Sequence, residues 1–290
     1  MFRTSSQLLS ILAGMILSLT TGFAQYTQFA VENFDGGTVS YTPSSGTAWV
    51  ANNSFYTSYP NSYRAAVPST AGTTVYLESP TYNLSAYSNV FLRFKHICKV
   101  SPLDTVWIEY KIAGQGWLPI ANSAYLGSAA NYSTGGFSAA SYRIWQASDS
   151  TVVPQQSWWQ TESFDVSLQV GSNNAAQFRF ALKKGATAGT NASYGWLLDD
   201  IEILHCNGGL SGRFTIGTTG DFSSISMAFN RLSTCGVSGN ITLAFQSGTY
   251  PNSNIDLTNI STLMGGYKLT ITSDANNADS VILQLTSGNG

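Results

Sequence analysis

Residues 90–98 read Val-Phe-Leu-Arg-Phe-Lys-His-Ile-Cys, and this stretch determines the fold class. Apolar and charged side chains alternate along it: one face carries Val90, Leu92, Phe94, His96 and Cys98, and the other carries Arg93, Lys95 and then Lys99. Successive side chains of a strand point to opposite faces, so a period of two with one charged face indicates an antiparallel sheet that is covered on one side only.

The same period recurs at residues 73–78, 105–112, 176–182 and 195–205. Turn-forming clusters separate these stretches, among them Asp35-Gly-Gly37 and Pro43-Ser-Ser-Gly46. Many short alternating strands with such turns predict an all-β protein, an antiparallel jelly-roll β-sandwich. The polar stretch 125–157 is predicted to be an extended surface loop.

The pattern changes after residue 206. Residues 207–212 have the composition of a linker, and beyond them Phe222, Ile225, Phe229 and Leu232 recur at helical spacing after Asp221, a possible N-cap. Short β-branched strands follow at 241–246, 268–272 and 281–285. The predicted organisation is therefore a signal peptide at 1–24, a jelly-roll domain at 25–206, a linker at 207–212 and a second domain at 213–290.

The N-terminus indicates export. Arg3 precedes an apolar run at 8–19, and Gly22-Phe-Ala24 places small residues before a cleavage site. The run is shorter than the ~20 residues that span a bilayer, so we predict a secreted, extracellular protein and not an integral membrane protein. The net charge is −2 with 10% charged residues and no basic cluster, which argues against nucleic acid as a partner.

A family resemblance covers residues 32–204. Its most specific motif is Gly195-Trp-Leu-Leu-Asp-Asp-Ile201, and weaker motifs are Glu32-Asn-Phe-Asp35, Leu77-Glu-Ser-Pro80, Asn83-Leu-Ser85, Leu92-Arg-Phe94 and residues 158–166. In this order they resemble the MAM-like and cleaved-adhesin jelly rolls of bacterial surface proteins. The resemblance implies a domain that binds glycans or surface proteins, with a structural calcium in several members, at the cell surface of a bacterium that uses type IX secretion.

A second resemblance begins after the linker. Gly220-Asp-Phe-Ser-Ser-Ile225, the helix after it and Gly248-Thr-Tyr250 are similar to the N-terminal cap of right-handed parallel β-helices of the pectinesterase and pectate-lyase type. Those enzymes carry their catalytic residues on later coils, so no catalytic residue is transferred to this chain. A β-helix needs about three stacked repeats for stability, so we expect the chain to be part of a longer protein.

No catalytic motif is present in the sequence. His96 and His205 are the two histidines, and His96 alternates in phase with Phe94, which predicts a core position. Gly-x-Ser-x-Gly, His-Glu-x-x-His and phosphate-loop motifs do not occur. The sequence therefore favours a non-catalytic adhesion or recognition protein. The alternative is a polysaccharide-acting lyase or esterase with catalytic coils beyond residue 290.

The three cysteines allow one disulfide in an oxidising compartment. Cys98 and Cys206 each end a predicted strand of the same domain, so we predict that they pair and leave Cys235 free. The competing pair is Cys206–Cys235. A zinc site of His96, Cys98, His205 and Cys206 has the wrong spacings for known zinc motifs.

We also predict a structural calcium site. Glu32 and Asp199 fall on apolar faces of the first and last strands, and the cost of burying two carboxylates calls for a cation or strong donors. The predicted ligands are Glu32, Asp35, Asp199 and Asp200, because calcium prefers oxygen ligands in irregular geometry. In the alternative, Arg64 or Arg93 pairs with these acids, or a turn donates hydrogen bonds to Asp199.

Aromatic residues near the long loop are candidates for sugar stacking. Tyr142, Trp145 and Trp158 are predicted as a glycan-binding surface, with core packing as the alternative. Since adjacent strand residues point in opposite directions, one of Trp158 and Trp159 should be buried and the other exposed.

Overall fold

The computed structural model describes residues 26–36, 38–45, 48–130, 132, 136–149, 152–186, 194–206, 208–222, 224–250 and 263–284. The predicted signal peptide lies outside these residues. Among the described residues, no helix combines the length and the apolar character needed to cross a bilayer.

Two antiparallel sheets form the first unit of the protein. The first sheet contains β1 (Tyr26–Glu32), β3 (Trp49–Asn52), β4 (Ser62–Ala65), β6 (Val90–Lys99), β9 (Gln160–Asp165) and β11 (Gly195–Cys206). Its strands lie in the order β3-β4-β11-β6-β9, and β1 also pairs with β11. The second sheet contains β2 (Thr42–Pro43), β5 (Thr74–Glu78), β7 (Thr105–Lys111), β8 (Leu118–Pro119) and β10 (Gln177–Lys183). Its strands lie in the order β2-β5-β10-β7-β8. The chain alternates repeatedly between the sheets, which confirms the predicted jelly-roll sandwich. A short helix, α1 (Ser167–Val170), follows β9.

The core lies between the two sheets and follows the alternation seen in the sequence. The predicted inner face of β6 is fully buried, including His96, and Phe94 packs edge to face against Phe180 at 5.1 Å. Burying each such large apolar side chain stabilises the fold by about 1.5–3 kcal/mol. The prediction that His96 is a core residue is confirmed.

The 125–157 segment is not the surface loop that its polarity predicted. Its Phe137 and Trp145 are fully buried, and it contains a short 3-10 helix at Arg143–Trp145. Lys99, expected on the solvent face of β6, is only 2% exposed. Its Nζ donates to the carbonyls of Trp145 (2.8 Å), Gln146 (2.6 Å) and Asp149 (2.6 Å), which fixes the segment. Burial lowers the pKa of the Lys99 ammonium from its usual value.

The second unit follows directly and has its own apolar core. It contains β12 (Leu210–Ile216), α2 (Ile225–Cys235), β13 (Val237–Phe245), β14 (Gly248–Tyr250), β15 (Leu269–Ser273) and β16 (Val281–Leu283). β12, β13 and β15 pair in parallel, as do β14 and β16. β12 begins inside the predicted linker. Ser224, rather than Asp221, caps α2, because its Oγ accepts from the Met227 amide at 3.1 Å.

The disulfide prediction was wrong: Cys206 pairs with Cys235, with a Cα–Cα distance of 5.6 Å, and Cys98 is a buried free thiol. The reason is the antiparallel register of β6 and β11, in which Cys98 lies opposite Trp196 and Val90 lies opposite His205. Ten residues therefore separate Cys206 from the position opposite Cys98, or about 30 Å of strand, which no disulfide can bridge.

Candidate functional site

The solvent-facing side of the second sheet carries large aromatic side chains. In register across β5, β10 and β7, Tyr76 lies opposite Ala181 and Ala181 lies opposite Trp107. Phe180 and Leu182, which alternate with Ala181 along β10, point into the core. Tyr76, Trp107 and nearby Trp117 are each half-buried. Solvent-facing positions of such a sheet are normally polar, so a cluster of rings there is a candidate interaction surface. We call Tyr76, Trp107, Trp117, Arg179 and Ala181 the aromatic face.

Arg179 organises this aromatic face. Its guanidinium pairs with Glu109 and lies 3.5 Å from the Glu78 carboxylate. It also stacks over the rings of Tyr76, at 3.9 Å, and Trp117, at 4.4 Å. Cation–π contacts and ion pairs together hold both rings in fixed positions, and this limits the entropy lost when a ligand binds.

Trp107 lies at the accessible end of the aromatic face. Within the described part of the chain, its indole makes no ring contact and no hydrogen bond. It lines a pocket of about 310 Å³ together with Thr105, Asn122 and Lys183. Two strand spacings place the Tyr76 and Trp107 backbones about 10 Å apart, with the small Ala181, which is fully buried, between them. The combination of a free aromatic ring with hydroxyl, amide and ammonium groups suits a polar ligand that has apolar faces.

The aromatic residues singled out by the sequence lie elsewhere. Trp145 and Trp158 are 0% and 2% exposed, and the Trp145 indole donates to the Trp158 carbonyl at 2.8 Å. These two rings are core residues and cannot present a surface for sugar stacking, which corrects that prediction. Trp158 is buried and Trp159 is half-buried, in the expected direction. Tyr142 is half-buried and lines a different cleft.

A polar network with a fully buried centre lies behind the Tyr142 ring. The Trp196 indole donates to His96 Nδ1 at 3.1 Å, so His96 Nε2 carries the proton and donates to Glu162 Oε1 at 3.0 Å. Tyr142 and Tyr125 hydroxyls also donate to Glu162, at 2.8 and 2.5 Å. His96 and Glu162 are both 0% exposed, so this network stabilises the core and no substrate reaches it.

Asp199 does not face the core as predicted, because a β-bulge changes the phase of β11. Asp199 pairs with Lys95 and Glu202 pairs with Arg93, which leaves one extra residue between them, and Asp200 has φ 45°. Asp199 is nevertheless fully buried under the turn at Thr57 and Ser58. Its Oδ2 accepts the Thr57 and Ser58 amides at 2.6 and 3.2 Å, and its Oδ1 accepts the Ser58 hydroxyl at 3.1 Å and the Asp200 amide at 2.8 Å.

The other three predicted calcium ligands are also engaged by the chain itself. Glu32 accepts the Phe34 amide at 2.9 Å and the amide and hydroxyl of Ser40 at 2.6 and 2.5 Å. Asp35 accepts the Asn61 amide at 3.3 Å. Asp200 pairs with the Lys95 ammonium at 2.9 Å, a contact that contributes to lowering its pKa against the opposing effect of burial.

As arranged, Glu32 and Asp199 are poorly suited to a calcium ion, because hydrogen-bond donors already engage both oxygens of each carboxylate. The described residues contain no group of three or more His, Cys, Asp or Glu side chains that could hold a metal. The alternative in which a turn donates to Asp199 accounts for its burial without a cation, and calcium bound at Glu32, Asp35, Asp199 and Asp200 remains the competing prediction. The zinc alternative fails because Cys206 is in a disulfide and is distant from Cys98.

Comparisons with known proteins give no family. No family model matches the chain, and no curated protein matches it. Among solved structures, the CBM22-2 xylan-binding domain of Paenibacillus barcinonensis Xyn10C is 9% identical over 61% of this chain and 98% of that chain, with a TM-score of 0.35. The K2 cleaved adhesin domain of Lys-gingipain is 15% identical over 60% and 98%, with a TM-score of 0.33. TmCBM61, solved with β-1,4-galactotriose, is 8% identical over 57% and 88%, also with a TM-score of 0.33. Scores below 0.5 add nothing to a functional assignment.

Proposed function

We propose that this protein is a non-catalytic carbohydrate-recognition protein that binds glycan through the aromatic face. The observation that supports the proposal is the row Tyr76–Ala181–Trp107 on the solvent side of the second sheet, with Trp117 and Arg179 beside it. A sugar ring has apolar C–H faces and polar edges, and a flat, half-exposed indole with nearby hydroxyl and amide groups complements both.

The charges of the aromatic face favour an uncharged glycan. Arg179 is neutralised by Glu78 and Glu109, and Lys111 lies 4.9 Å over the Trp117 ring. Arg179 is therefore not free to bind a phosphate or uronate group in a bidentate arrangement. Lys183, at the edge of the Trp107 pocket, can donate to a sugar hydroxyl.

The second unit supports a wider proposal. Parallel pairing of β12, β13 and β15, and of β14 with β16, is what the start of a parallel β-helix requires. We propose that this unit is such a start, serving as a stalk for the jelly roll in a secreted bacterial surface adhesin. Surface proteins are the alternative to glycans as partners. The alternative function is that of a polysaccharide-acting β-helix enzyme.

A glycan array tests the proposed function. The wild-type protein should bind neutral oligosaccharides, and Trp107→Ala should weaken that binding at least tenfold, because the ring is the free stacking surface. Tyr267→Ala is the matched control, since Tyr267 is an exposed aromatic residue of the second unit, 45% accessible, and does not line the Trp107 pocket. Binding that is equal in wild type and Trp107→Ala would disprove the role of the aromatic face.

A further inference from the structure

A cleft of about 480 Å³ lies between the jelly roll and the second unit. Its jelly-roll wall includes Tyr142, Trp159, Gln160 and Thr161, and its opposite wall includes Thr218 and Asp221. We call it the interunit cleft. It is separate from the aromatic face, because its strand residues belong to the first sheet and those of the aromatic face to the second.

Three connections fix the two walls relative to each other. The Cys206–Cys235 disulfide joins the end of β11 to the end of α2. The Thr234 hydroxyl donates to Asp165 at 3.0 Å, and the Arg231 guanidinium stacks 3.8 Å over the Phe91 ring. Because a disulfide and polar contacts fix its walls, the cleft is preorganised, and little conformational entropy is lost when a ligand binds.

The aromatic rings of the interunit cleft are also held from behind, and Trp159 packs against the apolar core of the jelly roll. The Tyr142 hydroxyl donates to the buried Glu162, and its ring contacts Trp145 edge to face at 4.8 Å. Burial and the Glu162 charge raise the pKa of the Tyr142 hydroxyl. Tyr142 and Trp159 are both half-buried, with part of each ring available to the cleft.

The polar groups of the interunit cleft are neutral or already paired. Arg93 pairs with Glu202 at 2.6 Å, and Asp221 accepts the amide and hydroxyl of Thr215 at 2.7 and 2.9 Å. The side chains of Gln160, Thr161 and Thr218 add neutral donors and acceptors. Fixed aromatic rings among neutral hydrogen-bonding groups match an uncharged polyhydroxylated ligand, and Arg231, a cation that also lines the cleft, is only 4% exposed and stacks over Phe91.

We propose that the interunit cleft is a second carbohydrate site, which takes an uncharged saccharide between the jelly roll and the second unit. The site depends on both units, so it goes beyond recognition by the jelly roll alone. Trp159 and Tyr142 supply the stacking surfaces, and Gln160 and Thr161 supply the hydrogen bonds that orient the sugar.

The test compares wild type, Trp159→Ala and Trp107→Ala of the full chain on one array of neutral and acidic oligosaccharides. We expect a subset of neutral signals to fall at least tenfold in Trp159→Ala and to persist in Trp107→Ala. Thr218→Trp, which fills the cleft from an exposed turn without removing a core contact, should abolish the same subset and guards against misfolding of Trp159→Ala.

The possible outcomes separate the two sites. Signals that survive both Trp159→Ala and Thr218→Trp would overturn the interunit proposal and leave the aromatic face intact. If every signal is lost in Trp159→Ala and Thr218→Trp and none depends on Trp107, the cleft is the binding site. That result would overturn the proposed function of the aromatic face. Cleft-dependent binding restricted to acidic oligosaccharides would overturn the assignment to uncharged ligands, and no binding by wild type would overturn both proposals.

Discussion

The Nε2 of His96 lies 3.0 Å from Glu162 Oε1 at the centre of the jelly roll, and neither side chain has any exposed surface. Because Trp196 donates to the other ring nitrogen, the imidazole is neutral and Glu162 is the one formal charge of this network. Three donors on one carboxylate compensate its desolvation, and removing the acceptor leaves buried donors unsatisfied.

Glu162→Gln should therefore destabilise the protein by about 2–4 kcal/mol. The glutamine amide has one N–H donor group, which would face the hydrogen-bond donors of His96, Tyr125 or Tyr142. Urea unfolding followed by fluorescence measures the loss. Glu202→Gln is the control: Glu202 pairs with a partly exposed Arg93, and the expected cost is about 1 kcal/mol or less. Equal losses for the two variants would contradict the central role of the buried network.

Alkaline pH should unfold the protein steeply. Burial, reinforced by the Glu162 charge, raises the pKa of Tyr125, Tyr132 and Tyr142, and burial also raises the pKa of Tyr41 and takes that of Tyr82 to about 12. The folded state therefore retains protons that the unfolded state loses above pH ~10.

The free energy of unfolding is thus constant below pH ~10 with respect to these groups. Above that it falls by about 1.4 kcal/mol per pH unit for each tyrosine that stays protonated. Absorbance at 295 nm should show these tyrosines ionising together with unfolding, detected by circular dichroism in parallel. Gradual ionisation of all tyrosines in a folded protein would contradict the burial that the structure assigns.

The Cys206–Cys235 disulfide should be found by peptide mapping without reduction, with Cys98 as a free thiol. Burial raises the pKa of the Cys98 thiol, so thiol reagents should label it only after unfolding. Replacing both Cys206 and Cys235 by Ser should cost about 3–4 kcal/mol for a loop with a sequence separation of 29 residues. A cross-linked peptide that contains Cys98 would refute this pairing.

Calcium removal distinguishes the two explanations of the buried Asp199. With its carboxylate satisfied by the turn at Thr57 and Ser58, we expect the thermal midpoint to be the same in calcium and in chelator. Asp199→Asn should lower the thermal midpoint equally in calcium and in chelator, because the side-chain N–H group of asparagine would face the backbone N–H donors of Thr57 and Ser58. A midpoint that rises with calcium in wild type but not in Asp199→Asn would instead establish the calcium site.

Local sequence determined the elements of this protein. The alternation at 90–98 and in the other apolar stretches depends only on the period of a strand, so the strands and the buried position of His96 followed from residue order. The helix of the second unit was equally local, although Ser224 and not the predicted Asp221 caps it.

Tertiary structure decided what depends on register and on distant packing. The antiparallel register of β6 and β11 separated Cys98 from Cys206, and a single extra residue at Asp200 turned Asp199 to the other face. The aromatic face required three strands to place Tyr76, Ala181 and Trp107 in one row, although they are far apart in sequence. Side-chain alternation is visible in one strand, but the pairing of strands is a property of the whole chain, and the candidate binding surfaces lie where strands and units meet.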